Sequence, residues 1–179
     1  MKGFLKFSAG IDTLNKWFGY VASFCVLAAC VVSSSNAGVR YLFNMGSNAW
    51  LELQWYLFAY LVMLGAAHVL KVNEHVRVDL IYGMLSVRKK IWVDLMGFLV
   101  FLMPATLYLL WLCISPAVDA FHTGEISPNA GGLVRWPARL ALPIGFALVA
   151  LQGLSEIIKR VAMLSGHLTA DAHYERPLQ

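Results

Sequence analysis

Residues 95–118 read LMGFLVFLMPATLYLLWLCISPAV, 24 consecutive positions without Asp, Glu, Lys or Arg. A helix needs about 20 predominantly apolar residues to cross the hydrocarbon core of a bilayer, so this stretch by itself places the chain in a membrane. Three further runs share its character: 23 uncharged positions at 17–39, 18 at 53–70 and 16 at 140–155. The last reaches spanning length if Arg139 turns its guanidinium outward from the helix end. The fold class expected is therefore all-α and integral to the membrane, with four transmembrane helices at about 17–43, 50–70, 91–118 and 137–164 and a polar tail over 165–179. Trp17, Trp50, Trp92 and Trp136 each fall near a span end, where indole prefers the interface.

Composition narrows the function classes. Of 179 residues, 59% are hydrophobic and 13% charged, against roughly 25% charged in an ordinary soluble domain. Four helices with short links leave no room for a separate extramembrane domain, so any chemistry must sit in or at the bilayer. The formal charge of +4 does not point to nucleic acid as a partner, because the basic residues follow topology and are not gathered on one polar element. Lys2, Lys6, Lys16, Lys71, Arg77, Arg88, Lys89, Lys90, Lys159, Arg160 and Arg176 fall on one side, and only Arg40, Arg135 and Arg139 on the other. The positive-inside rule then puts both termini in the cytoplasm.

Cys25, Cys30 and Cys113 all lie within proposed spans, where they act as small packing residues; no disulfide and no metal cluster is expected. Leu27-Ala28-Ala29-Cys30 has the look of a lipoprotein cleavage box, but the apolar run continues well past Cys30.

Two amphipathic stretches flank the spans. Residues 1–16 mix Lys2, Lys6, Asp12 and Lys16 with Phe4, Leu5, Phe7, Ile11 and Leu14, as in a short helix lying on the inner surface. Between spans two and three, Val76, Leu80, Ile81, Met84 and Leu85 share one helical face, with Asp79, Gly83, Ser86 and Lys90 opposite. That predicts an in-plane helix within 72–90, its Arg88-Lys89-Lys90 run meeting anionic lipid headgroups. Pro104 and Pro116 should kink or shorten the third span, and Pro143 should bend the fourth. Pro137 suits a first helical turn, and Gly145 and Gly153 permit close contact with another helix.

Chemistry-bearing residues are few. Transport sites and proton relays are built from ionisable residues in mid-membrane, and His68 is the single histidine well inside a span, read as a satisfied interfacial side chain beside Lys71. Asp119, His122 and Glu125 recur every three residues, a spacing that on one helix face would offer oxygen and nitrogen ligands to a divalent metal; a solvated loop is the plainer reading. No nucleophile elbow, phosphate-cradling glycine loop, zinc-protease helix or CxxC is present. No cofactor is implied, and no residue is assigned as catalytic. The polar groups that ask for a partner are Glu52, within reach of Arg40 across the 44–48 turn or of another subunit, and His75, Arg77 and Asp79.

Several segments taken in order resemble the small membrane subunit (DctQ-type) of tripartite ATP-independent periplasmic (TRAP) transporters. They are Trp50-Leu51-Glu52 leading to Tyr56, Leu64-Gly65-Ala66-Ala67-His68, Asn73 to Leu80 with its His-Val-Arg-Val-Asp stretch, Glu125-Ile126-Ser127, Gly131-Gly132-Leu133, Arg135-Trp136-Pro137, and Leu142-Pro143-Ile144-Gly145 to Gln152. Many relatives carry two adjacent acids where this chain has Glu52 alone. The resemblance implies an inner-membrane complex with a large permease subunit and a periplasmic solute-binding protein. It also implies a sodium gradient as driving force and organic acids as substrates, with this chain a static scaffold and anchor. Glu52, His75, Arg77, Asp79, Gly131, Gly132, Trp136, Pro137, Gly145 and Gly153 become candidates for subunit contact or structural support. Two rivals stay open: a self-sufficient small transporter or channel, and a membrane enzyme using Asp119, His122 and Glu125.

Overall fold

The computed structural model describes residues 1–73, 82 and 84–168. Among these, four helices are long and apolar enough to cross a membrane: α1 (Lys2–Phe43), α2 (Asn48–Val72), α3 (Val87–Thr123) and α4 (Trp136–Leu164). No strand accompanies them, apart from one isolated bridge between Ile126 and Val134. Local chemistry sets the ends. Asn44 (φ 52) and Asn73 (φ 61) follow α1 and α2 in the left-handed conformation, and Gly124 (φ 59) does the same after α3. Asparagine and glycine are the residues that adopt this conformation at least cost.

Residues 1–16, expected as a separate amphipathic helix, are instead continuous with the first span. The 42 residues of α1 extend about 63 Å at 1.5 Å per residue, roughly twice the hydrocarbon thickness. Within residues 1–16, Lys2, Lys6 and Lys16 are exposed, as are Phe4 and Phe7, whereas Ser8 and Asn15 are buried. The expected in-plane helix within 72–90 falls largely on positions 74–81 and 83, outside the described residues. Its far end, 87–90, is the first turn of α3. The helix of the third span also runs past Asp119 to Thr123, where Gly124 ends it.

Pro104 acts through the turn before it. Residues Gly97–Leu102 form a π-helical segment, in which Met103 N–H bonds back to the Phe98 carbonyl. Proline at 104 has no N–H for the carbonyl four residues earlier and its ring crowds that group, so widening the preceding turn relieves the clash without breaking the helix.

α4 organises the bundle. It packs against α1, α2 and α3, whereas α3 packs chiefly on α4. Half of α4's most apolar window is buried, compared with 17% in α1 and 11% in α2 and α3. The centre is made of small and aliphatic side chains: Ala22 of α1, Leu64 and Ala67 of α2, and Leu148 of α4, with Phe18, Tyr60, Leu61, Ile144 and Val149 around them. Two glycines set the helix separations. A Cβ at Gly145 would lie 2.5 Å from Met63 Cβ and 2.8 Å from the Met63 carbonyl oxygen, and one at Gly153 would lie 2.6 Å from Leu102 Cδ2. Gly145 thus fixes the α2–α4 crossing, and Gly153 seats the end of the π-helical segment.

Candidate functional site

Polar side chains gather at the two ends of the bundle and bind helix to helix. At the end carrying the α1–α2 and α3–α4 links, one face of α2 presents Asn48, Glu52, Tyr56 and Tyr60, each four residues from the last. All four bond the α3–α4 link or the start of α4. Asn48 Nδ2 donates to the Ala130 carbonyl (2.9 Å), Tyr56 Oη to that of Val134 (3.0 Å) and Tyr60 Oη to that of Pro137 (2.8 Å). Glu52, only 3% exposed, is the centre. Its carboxylate accepts from the Ser127 hydroxyl, from Asn129 Nδ2 (2.8 Å) and from Leu133 N–H (2.7 Å).

The link is folded to meet that carboxylate. Ser127 N–H bonds the Leu133 carbonyl (3.0 Å), Arg135 N–H bonds that of Glu125 (2.8 Å), and Gly132 N–H closes a turn on Asn129 (2.9 Å). Gly131 supplies the left-handed residue (φ 70), and a Cβ at Gly132 would strike Ser127 Cβ at 2.5 Å. Both glycines are therefore needed for Ser127 to face Glu52. The expected Arg40–Glu52 pair does not form: Arg40 is exposed, and the carboxylate is occupied by a loop 75 positions away. Trp136 packs edge-on against Phe121 with centroids 5.5 Å apart, which ties the link to α3.

The Asp119, His122 and Glu125 set does not assemble. Glu125 Oε1 accepts from Arg135 (2.9 Å) and Arg139 (2.7 Å), and Arg139 also donates to the Pro116 carbonyl (3.2 Å). Asp119 accepts from Ser115 (3.2 Å) on its own helix, and His122 lies against Phe121. Among the described residues no group of three or more His, Cys, Asp or Glu is placed to hold a metal.

The opposite end, where the N-terminus meets the end of α4, holds a polar ladder that the sequence reading missed. Ser8, Asp12 and Asn15 on α1 face Gln152, Ser155, Glu156 and Lys159 on α4. Ser8 and Ser155 share a hydroxyl bond (2.7 Å), and Ser155 donates to Asp12 (3.0 Å). Gln152 Nε2 donates to Asp12 (3.0 Å) and Glu156 (3.1 Å), while its Oε1 accepts from Asn15 (2.7 Å). Lys159 bridges Asp12 (2.7 Å) and Glu156 (2.8 Å). Arg160 pairs with Glu156, reaches Asp94 of α3 (3.4 Å) and lies over the Phe98 ring (4.8 Å). Lys71 of α2 donates to the Asp12 carbonyl (3.0 Å), so all four helices meet here. A signal existed: 8, 12, 15 and 152, 155, 156, 159 are helical-face spacings of polar residues within apolar surroundings. His75, Arg77 and Asp79 lie outside the described residues.

The four apolar helices and two polar ends belong to a sequence with a family match. Residues 29–163 match the family model described as tripartite ATP-independent periplasmic transporters, DctQ component. The chain belongs to the DctQ family. The match covers about three quarters of the sequence, taking in both ends' α4 residues and the whole Glu52 cluster but stopping short of Ser8, Asp12 and Asn15. The chain matches no curated protein and no solved structure. A DctQ protein is a component of a TRAP transporter and not a member of an enzyme family.

Proposed function

We propose that this DctQ chain is the small permease subunit of a sodium-driven TRAP transporter importing organic acids, working with a large permease subunit and a periplasmic solute-binding protein. We place it in the bacterial inner membrane with both termini in the cytoplasm, following the distribution of Lys and Arg. Its role is that of a static scaffold and membrane anchor. The observation that carries this reading is how the buried and half-buried polar side chains are used. Glu52 at one end, and Asp12, Gln152 and Glu156 at the other, are spent on joining helices, while Ala22, Leu64, Ala67 and Leu148 fill the space between. A substrate path needs polar groups along its length, and an enzyme needs a convergent catalytic set. Among the described residues the interior of the bundle supports neither.

On this reading the exposed apolar faces of α1, α2 and α3 meet lipid and the large permease, with His75, Arg77 and Asp79 as further contacts to it. The loop held by Glu52, Gly131, Gly132 and Trp136 faces the periplasm and offers the exposed Ile126 to the binding protein. Sodium-driven uptake of organic acids into proteoliposomes tests the proposal. Uptake is expected with the large permease, binding protein and this chain together and not with this chain alone; robust uptake by this chain alone overturns it.

A further inference from the structure

We propose that the seam between α1 and α2 holds a buried water bound between Asn15, Lys71 and His68. The orientation of one buried amide is dictated by its neighbours. Gln152 Nε2 lies against two carboxylates, Asp12 Oδ1 at 3.0 Å and Glu156 Oε1 at 3.1 Å. Carboxylates accept and do not donate, so the NH₂ end of Gln152 must point at them and its oxygen must point at Asn15. Asn15 then has to present its own NH₂, at 2.7 Å, which turns Oδ1 the other way. That oxygen is fully enclosed, on a residue with no exposed surface, and has no hydrogen-bond partner among the described residues. Flipping Asn15 would not relieve it, because two oxygens would then face each other.

The donors that could serve this oxygen stand on α2. Lys71 reaches the Asp12 carbonyl at 3.0 Å, three residues before Asn15. His68, one turn before Lys71, lies against Gly19, where an added Cβ would be 2.7 Å from its Cγ. Gly19 is one turn after Asn15. The two contacts of α2 therefore bracket Asn15 along α1, and His68 Nδ1 is itself enclosed and unpartnered among the described residues, contrary to the satisfied histidine expected from sequence. An ammonium uses one N–H on the Asp12 carbonyl and keeps two. A water at Asn15 Oδ1 donates to it and accepts from Lys71, and its second hydrogen or lone pair is available to His68 Nδ1. Buried waters typically make about three such bonds to groups the protein leaves unserved. The adjacent ammonium disfavours a cation there, so the ligand is a small neutral hydrogen-bonding molecule.

The test uses the full chain in lipid nanodiscs with isotope-labelled Asn and His side chains, and reads nuclear Overhauser transfer from water. Transfer to the Asn15 side-chain amide and the His68 ring is expected, with loss at His68 in Asn15→Leu and at least a several-fold weakening at Asn15 in Lys71→Met. The second variant leaves the ladder to α4 untouched and serves if the first does not fold. Absence of transfer in the unmodified chain, or transfer that persists unchanged in the variants, overturns the proposal.

Discussion

Replacing Gln152 by leucine removes the central rung of the ladder with little change in volume. The amide is fully buried and makes three bonds: from Asn15, to Asp12 and to Glu156. Both carboxylates keep other donors, Asp12 from Ser155 and Lys159, and Glu156 from Lys159 and Arg160. Asn15 Nδ2 has no such reserve and becomes a buried donor without an acceptor, at a cost of about 1–3 kcal/mol. Of the bonds to the carboxylates, that to Asp12 crosses between helices, where such bonds average about 0.6 kcal/mol, and that to Glu156 lies within α4 and adds about as little. The total loss expected for Gln152→Leu is therefore about 2–4 kcal/mol. Adding Asn15→Leu removes the stranded donor, so the double variant should be more stable than the sum of the singles by about 1–2 kcal/mol. Reversible unfolding by SDS in mixed micelles, followed by helical circular dichroism, measures all four corners of the cycle. A loss below about 0.5 kcal/mol for Gln152→Leu, or additivity within about 0.5 kcal/mol, would refute the reasoning.

Three further outcomes follow from the packing. Glu52→Leu should raise amide hydrogen exchange across residues 127–133 while leaving helix content unchanged, whereas Arg40→Ala should leave that exchange as it was; equal protection in Glu52→Leu would show that the carboxylate does not hold the link. Gly145→Val should destabilise by about 1–3 kcal/mol by overpacking against Met63, whereas Gly38→Ala, whose Cβ meets nothing within 4 Å, should stabilise by up to about 1 kcal/mol; SDS unfolding separates the two signs. Glu125→Gln should cost no more than about 1 kcal/mol, because its arginine pairs are partly exposed, and treatment with a chelator should leave the melting temperature unchanged. A chelator-induced loss would restore the metal reading of Asp119, His122 and Glu125.

The four apolar runs were legible because length and absence of charge are direct consequences of the hydrocarbon's thickness, whereas the end of the third helix at Gly124, past the charged Asp119, was not. Gly145 and Gly153 stood out as small residues in a long helix, although only coordinates show that they receive Met63 and Leu102. What stayed hidden depended on distance along the chain. Glu52 lies 12 positions from Arg40 and bonds Ser127 instead, because α2 aims its polar face at the far link and Arg40 points outward. In the sequence Asp12 stands in the N-terminal amphipathic stretch and Lys159 among the basic residues of one side, and only the central position of α4 turns them toward each other. Pro104 announced a distortion without its form. A proline removes one hydrogen bond in any helix, and the widened turn from Gly97 to Leu102 is one of several ways to absorb the loss.

The central claim, that this subunit stays fixed while its partners work, is tested most directly by locking the ladder covalently. The Ser8 and Ser155 hydroxyl oxygens are 2.7 Å apart, a separation compatible with the ~3.5–4.5 Å Cβ spacing of a disulfide. With Cys25, Cys30 and Cys113 replaced by serine, Ser8→Cys and Ser155→Cys can be oxidised in the assembled three-component transporter and uptake measured in proteoliposomes before and after reduction. The account predicts the same sodium-driven uptake in both states. Uptake that stops on oxidation and returns with reductant would contradict it, since α1 and α4 would then have to move apart for transport to proceed.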